Sequence, residues 1–243
     1  MFFAFVYLSK YKHIVIRYLS VILLLIGFNS FSQKIRVTAM NRDFEKFRNA
    51  SHFDFVNDDF DTTKLTWVND LTIKFDTASD GMIGECYKLL KTKANRFGAN
   101  AFKVKESDVY KRGRGKFITI STYMIRMENR VENLSLMNSN TVYLFGLLGH
   151  HSSIPGYKVL VNEQDHMINE LTYFKLDCMD KEKIYIRLGS KSRGAEKRLA
   201  IEEGMRPKFF YFHMVKGSFK NAWIDEYSPN FGMFLSQVLR KAS

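Results

Sequence analysis

Imidazoles, thiols and clustered cations are the groups through which this chain could do chemistry. His150 and His151 sit together in Gly149-His-His-Ser-Ser, His166 follows Asp165, and His213 lies further along. Imidazole nitrogens are ready zinc and copper ligands, and a carboxylate beside a histidine can orient its ring. Neighbouring residues on a strand point to opposite faces, so a site shared by His150 and His151 needs a loop, which Gly149 and Ser152-Ser153 allow. A metal site drawn from His150, His151 and His166 is one expectation, and a solvated loop is its alternative. Lys111, Arg112, Arg114 and Lys116 put four cations into six residues, and Lys191 and Arg193, near Lys197 and Arg198, form a second group. Such clusters attract phosphates of lipid headgroups or lipopolysaccharide. Gly113 and Gly115 are also what a tight hairpin turn needs, so a charged turn that keeps a sheet edge soluble is the competing reading.

Cys86 and Cys178 are the only cysteines. They could form one disulfide if their backbones come within bridging range, or remain two buried thiols. Gly-x-Ser-x-Gly, His-Glu-x-x-His, Gly-x-Gly-x-x-Gly and the phosphate-binding Lys-Ser/Thr loop are all absent from the sequence. The residues therefore name no catalytic group and no cofactor, and a non-enzymatic role is expected.

The start of the chain bears on where these groups act. Lys10, Lys12 and Arg17 precede the apolar run Leu19–Phe28, and Ser30 and Ser32 stand at the −3 and −1 positions before Gln33. Residues 1–32 are read as a signal peptide. The early cations interrupt the roughly 20 apolar residues a span requires, so no transmembrane span is expected after cleavage. Removing three cations lowers the net charge from +12 to +9, still basic. For an exported, periplasmic or extracellular protein, the anionic partners are envelope material or an acidic envelope protein, and not nucleic acid.

The elements that must position these groups follow from periodicity. The hydrophobic share of 46% supports packed cores. Ile35–Thr38 reads as a first strand, Phe44 and Phe47 as a helical turn, and Leu65–Phe75 alternates apolar and polar residues as a half-buried strand does. Thr77 and Asp80 approximate a capping box before a helix whose apolar positions are Ile83, Cys86 or Tyr87, Leu90, Ala94 and Phe97. Gly98 suits a left-handed helix end, and Ala99 and Ala101 are small enough for a sheet to lie close under Ala94. Strands over 99–105 and 116–127 complete a strand-helix-strand-strand unit spanning 33–128. Residues 129–140 are polar without apolar period and are read as a linker. The region 141–243 then offers short strands at 141–145, 157–161, 166–171, 172–176, 183–188, 198–202 and 208–215, with a terminal helix over 230–241. The expected fold is α+β, a small α+β domain followed by an antiparallel β-sandwich ending in a helix. Phe209–Phe212 is expected to be a core strand, and Trp67 and Trp223 core or domain-contact residues.

The Ala94-x-x-x-Gly98-Ala99-Asn100-Ala101 joint resembles the helix-to-strand unit of the sensor lipoprotein of the Rcs envelope-stress system and of the heavy-metal-binding pentameric domain family. The layout from Val142-Tyr-Leu-Phe145 through Gly156–Val161, Tyr173-Phe174 and Glu202–Phe212 is similar to an uncharacterised β-sandwich domain of bacterial envelope lipoproteins. The resemblance implies an envelope protein with a binding, adaptor or structural role. The alternative is an envelope sensor that captures a small ligand or a metal.

Overall fold

The computed structural model describes residues 35–44, 52–76, 80–110, 115–146, 156–189, 194–214 and 222–242. The expected signal peptide, the turn around Phe47 and Thr77 of the expected capping box lie outside them. Among the described residues the fold is α+β, with three sheets and three helices.

The first sheet has the order β1-β3-β5-β4-β2, built from β1 (Ile35–Met40), β2 (Asp54–Phe55), β3 (Thr66–Phe75), β4 (Ala101–Asp108) and β5 (Lys116–Met124). Its period-two pattern sorts side chains onto two faces. Leu71 and Ile73 on β3 and Ile118 and Ile120 on β5 are fully buried beneath the apolar stripe of α1 (Asp80–Arg96), formed by Ile83, Cys86, Leu90 and Ala94. Each of the buried leucines and isoleucines among them stabilises the fold by about 1.5–3 kcal/mol. The opposite face is polar: Thr72 and Thr119 hydrogen-bond at 2.9 Å.

Gly98 ends α1 with a φ of 88°. Ala99 N donates to Ala94 O, and Gly98 N to Asn95 O, the paired bonds of a Schellman cap. Ala99 packs in the same cluster as Ala94, but Ala101 does not, which corrects the expectation that both lie under Ala94. Ala99 precedes β4, and within the strand it is Phe102 that joins the Ala94 cluster, so its neighbour Ala101 faces the other way and packs with Val56, Phe60, Leu65 and Ile125. Asn100 has its own role: its amide donates to Ile125 O at 3.0 Å and accepts from Ile125 N at 2.7 Å, extending the strand pairing through a side chain.

The segment expected as a polar linker holds a helix, α2 (Met127–Ser135). Its buried Asn133 donates to Phe55 O and accepts from Asn57 N, both at 2.8 Å, which clips the short β2 in place. Polar residues there satisfy backbone groups of a neighbouring segment, which is why they carry no apolar period.

The second sheet has the order β13-β12-β6-β9-β14, from β6 (Thr141–Phe145), β9 (Thr172–Asp177), β12 (Lys208–Met214), β13 (Ala222–Glu226) and β14 (Arg240–Lys241). It is mixed, not antiparallel throughout, because β6 pairs parallel to β12 and β9 parallel to β14. The third sheet, β11-β10-β7-β8, is antiparallel and comprises β7 (Gly156–Val161), β8 (Gln164–Asn169), β10 (Lys183–Leu188) and β11 (Ala195–Ala200). Val142, Leu144, Phe210 and Phe212 of the second sheet share an apolar cluster with Val159, Ile184, Ile186 and Leu188 of the third.

The alternate residues Phe145 and Phe209 join a different cluster, with Phe53, Phe102, Phe234 and Leu235. The second sheet is thus covered on both faces, and α3 (Pro229–Val238) lies against Phe209. Residues 35–243 accordingly form one compact unit, and the expected separation into 33–128 and 141–243 is not seen. The reason is physical: Phe145, Phe209 and the apolar face of α3 need cover, and the first sheet and α1 supply it. Trp223 is 43% exposed, which corrects its reading as a core residue; it sits on β13, at the edge of the second sheet. Trp67 is half-buried and donates from Nε1 to Asp70 at 3.2 Å.

Candidate functional site: a groove on the third sheet

Most of the sequence-derived candidates, Lys111, Arg112, Arg114, Lys191, Arg193, His150 and His151, lie outside the described residues, as does the His213 side chain. Lys116 begins β5 and donates to Asp76 O at 3.2 Å. β4 and β5 pair antiparallel as far as Asp108 and Phe117, so the basic segment joins two adjacent strands.

His166 lies on β8 with its ring 4.3 Å from that of Phe174. Asp165 does not orient it, because that carboxylate pairs with Lys158 at 2.7 Å. Among the described residues no group of three or more His, Cys, Asp or Glu is placed to hold a metal ion.

Cys86 and Cys178 are both free, which corrects the disulfide alternative. Cys86 is buried in the cluster under α1, while Cys178 packs against the cluster shared by the second and third sheets. Burial, with the Glu85 charge, pushes the Cys86 thiol up to about 12. Burial, with Glu182 and Asp177, pushes Cys178 up to about 11. Neither is a thiolate at neutral pH, so neither is a nucleophile.

The structure brings together a set of residues that the sequence did not single out. A groove of about 580 Å³ opens on the outer face of the third sheet, lined by Leu160, Asn162, Glu163, Tyr185, Arg187 and Glu196. Strand register makes this site. Arg187 on β10 stands directly opposite Leu160 on β7 and Glu196 on β11, so the three side chains form a row across three strands. Inward residues Ile184, Ile186 and Leu188 are buried, which turns Tyr185 and Arg187 outward. At one end, Asn162 and Glu163 have φ of 46° and 69° in the two-residue connection between β7 and β8. That is the primed turn whose twist matches paired strands. Asn162 Oδ1 then accepts from Tyr185 N at 2.8 Å.

The charges in the groove are unevenly satisfied. Glu196 accepts from the Tyr185 hydroxyl and from Arg198 Nε at 2.7 Å. The Tyr185 hydrogen bond first, and Arg198 next, hold its carboxyl below the usual range, so it is ionised at neutral pH. Arg187 lies with its guanidinium carbon 5.9 Å from the Tyr185 ring centroid, and its buried Nε has no hydrogen-bond partner. A buried donor left unpaired is costly, and a guanidinium offers a planar fork suited to an anionic oxygen pair. The arrangement can recognise an anion beside an aromatic and an aliphatic wall. The period-two pattern of Ile184-Tyr-Ile-Arg-Leu188 is the one signal that could have marked Tyr185 and Arg187 as outward-facing.

No family model matches the chain, and no curated protein or solved structure matches it. Among the described residues no helix is long and apolar enough to cross a membrane.

Proposed function

We propose that this protein is a non-enzymatic, exported component of the cell envelope that binds anionic groups. The observation that carries the reading is Arg187, a cation in an open groove whose Nε has no partner. Three further features support it: the leader-like residues 1–32, the basic balance of the chain, and the resemblance of both halves to envelope domains. The apolar cluster shared by the second and third sheets supports the β-sandwich element of that resemblance. The anionic partner is envelope material or an acidic envelope protein.

Cell fractionation and vesicle sedimentation test this together. The full chain is expected in the envelope or periplasmic fraction, and purified protein should sediment with phosphatidylglycerol vesicles but not phosphatidylcholine vesicles. Replacing Lys111, Arg112 and Arg114 by alanine should reduce sedimentation, as expected for an electrostatic contact. Cytosolic recovery, or sedimentation that ignores vesicle charge, would sink the reading. The groove also favours the second reading, a small-ligand sensor, because its volume lies in the range of small-molecule sites.

A further inference from the structure

We infer that the groove on the third sheet is a binding site for a small monoanionic organic carboxylate with a flat or apolar body. The inference rests on the anion-binding reading and goes further by naming the ligand chemistry. Three observations lead there.

The first is geometric. Arg187 is half-buried between Leu160 and Glu196 in the strand register, and its inner nitrogen, Nε, is buried without a partner. Because Nε is closed to solvent, a carboxylate in the groove meets the outer edge of the guanidinium, where the two Nη groups present parallel donors.

The second is charge. Glu196 is already engaged by Tyr185 and Arg198, so its charge is matched within the fold, and the Glu163 carboxylate stands in the same lining. The Arg187 guanidinium, which also acts on Glu196 through its charge, makes no hydrogen bond within the lining and faces the ligand with a second carboxylate close by. A ligand of charge −1 suits that balance, whereas a dianionic phosphate meets stronger repulsion from Glu163 and, among the described residues, finds no second cation in the lining. Among the described residues the lining holds no helix N-terminus, the element that commonly receives phosphate.

The third is the wall. Leu160 and the Tyr185 ring flank the guanidinium, and a groove of about 580 Å³ has room for a ring or a branched chain beyond the carboxylate. The selected chemistry is a carboxylate head on Arg187 and an apolar body over Leu160 and Tyr185.

The test follows the Nε–Hε resonance of Arg187 in the ¹⁵N-labelled full chain while benzoate, benzyl alcohol or inorganic phosphate is titrated. Benzoate is expected to shift this signal saturably, and to bind at least about tenfold more tightly than either control, the loss expected when a charged hydrogen-bond pair is missing. Arg187→Gln should abolish the benzoate response at an unchanged melting temperature. Arg187→Lys keeps the charge but lacks the planar fork, and should bind benzoate about tenfold more weakly than the parent. A response to phosphate equal to or stronger than that to benzoate would overturn the carboxylate assignment while leaving the anion-binding reading intact. Benzyl alcohol matching benzoate would show that charge is not read. No response to any of the three would overturn both readings of the groove.

Discussion

Asn230 Nδ2 donates to Asp54 Oδ1 at 3.1 Å, joining two residues 176 positions apart. The same asparagine accepts from Phe55 N at 3.0 Å, so one side chain of α3 holds both residues of β2. Asp54 is 3% exposed and also receives Arg130 Nε of α2 at 2.5 Å. Three elements far apart in the chain thus meet on one buried carboxylate. Asn230→Ala leaves part of that carboxylate and a backbone donor unpaired, and should cost about 1–3 kcal/mol of stability. Urea unfolding should still show one transition by both fluorescence and circular dichroism. Two separated transitions would contradict a core shared between the halves.

Gly232 faces the ring of Phe209 so closely that an added Cβ would lie 2.1 Å from Phe209 Cγ. Gly232→Ala must displace α3 or the ring, and should destabilise by about 1–3 kcal/mol. Phe209→Ala removes the ring atoms that the new Cβ meets, so the double variant should lose less than the sum of the two single losses. Strictly additive losses in the double variant would mean the two sites do not touch.

Asp70 gives stability a dependence on acid. Burial raises its pKa, but hydrogen bonds from Lys105 Nζ at 2.6 Å, Ser121 Oγ at 2.8 Å and Trp67 Nε1 outweigh it and hold the carboxyl below its ordinary range. A carboxyl with a lowered folded pKa contributes stability above the unfolded value of about 3.9 and loses it as pH falls through the folded value. Asp70→Asn should therefore cost about 1–2 kcal/mol at pH 7. Its gap from the parent should narrow between pH 7 and an acidic pH below the ordinary carboxyl range. Denaturant midpoints measured at both pH values check this, and a gap that widens in acid would refute it.

The two thiols should be silent in the folded protein. With pKa values pushed up to about 12 and about 11 by burial, Cys86 and Cys178 should react with a thiol reagent at pH 8 far more slowly than free cysteine. Both should react promptly in denaturant without reductant. Finding no free thiol after denaturation would indicate a disulfide and contradict the two separate clusters in which they sit.

Local features were legible before the fold was known. Alternation over Leu65–Phe75 corresponds to β3, the three-and-four spacing from Ile83 to Ala94 to the buried face of α1, and Gly98 to the left-handed end of that helix. These depend on neighbouring residues and backbone sterics, which short stretches specify on their own. The strands at Thr141–Phe145 and Lys183–Leu188 were readable for the same reason. The two-residue β2 and β14 carry too little pattern to be read alone, and α2 was hidden because its buried residue is an asparagine.

Tertiary structure decided how these pieces meet. Phe209 and Phe210 look alike in sequence, yet one packs with α3 and the other with the third sheet, because adjacent strand residues face opposite ways and both faces are covered. Arg187 becomes notable only when register sets it between Leu160 and Glu196 and packing leaves its Nε without a partner. By itself the sequence determined most of the longer strands, the first helix and its end, since those rest on period and local backbone preference, whereas β13 went unread. Only the tertiary structure decided the shared core, the free thiols and the groove, since those rest on contacts between residues far apart in the chain, for which local pattern carries no information.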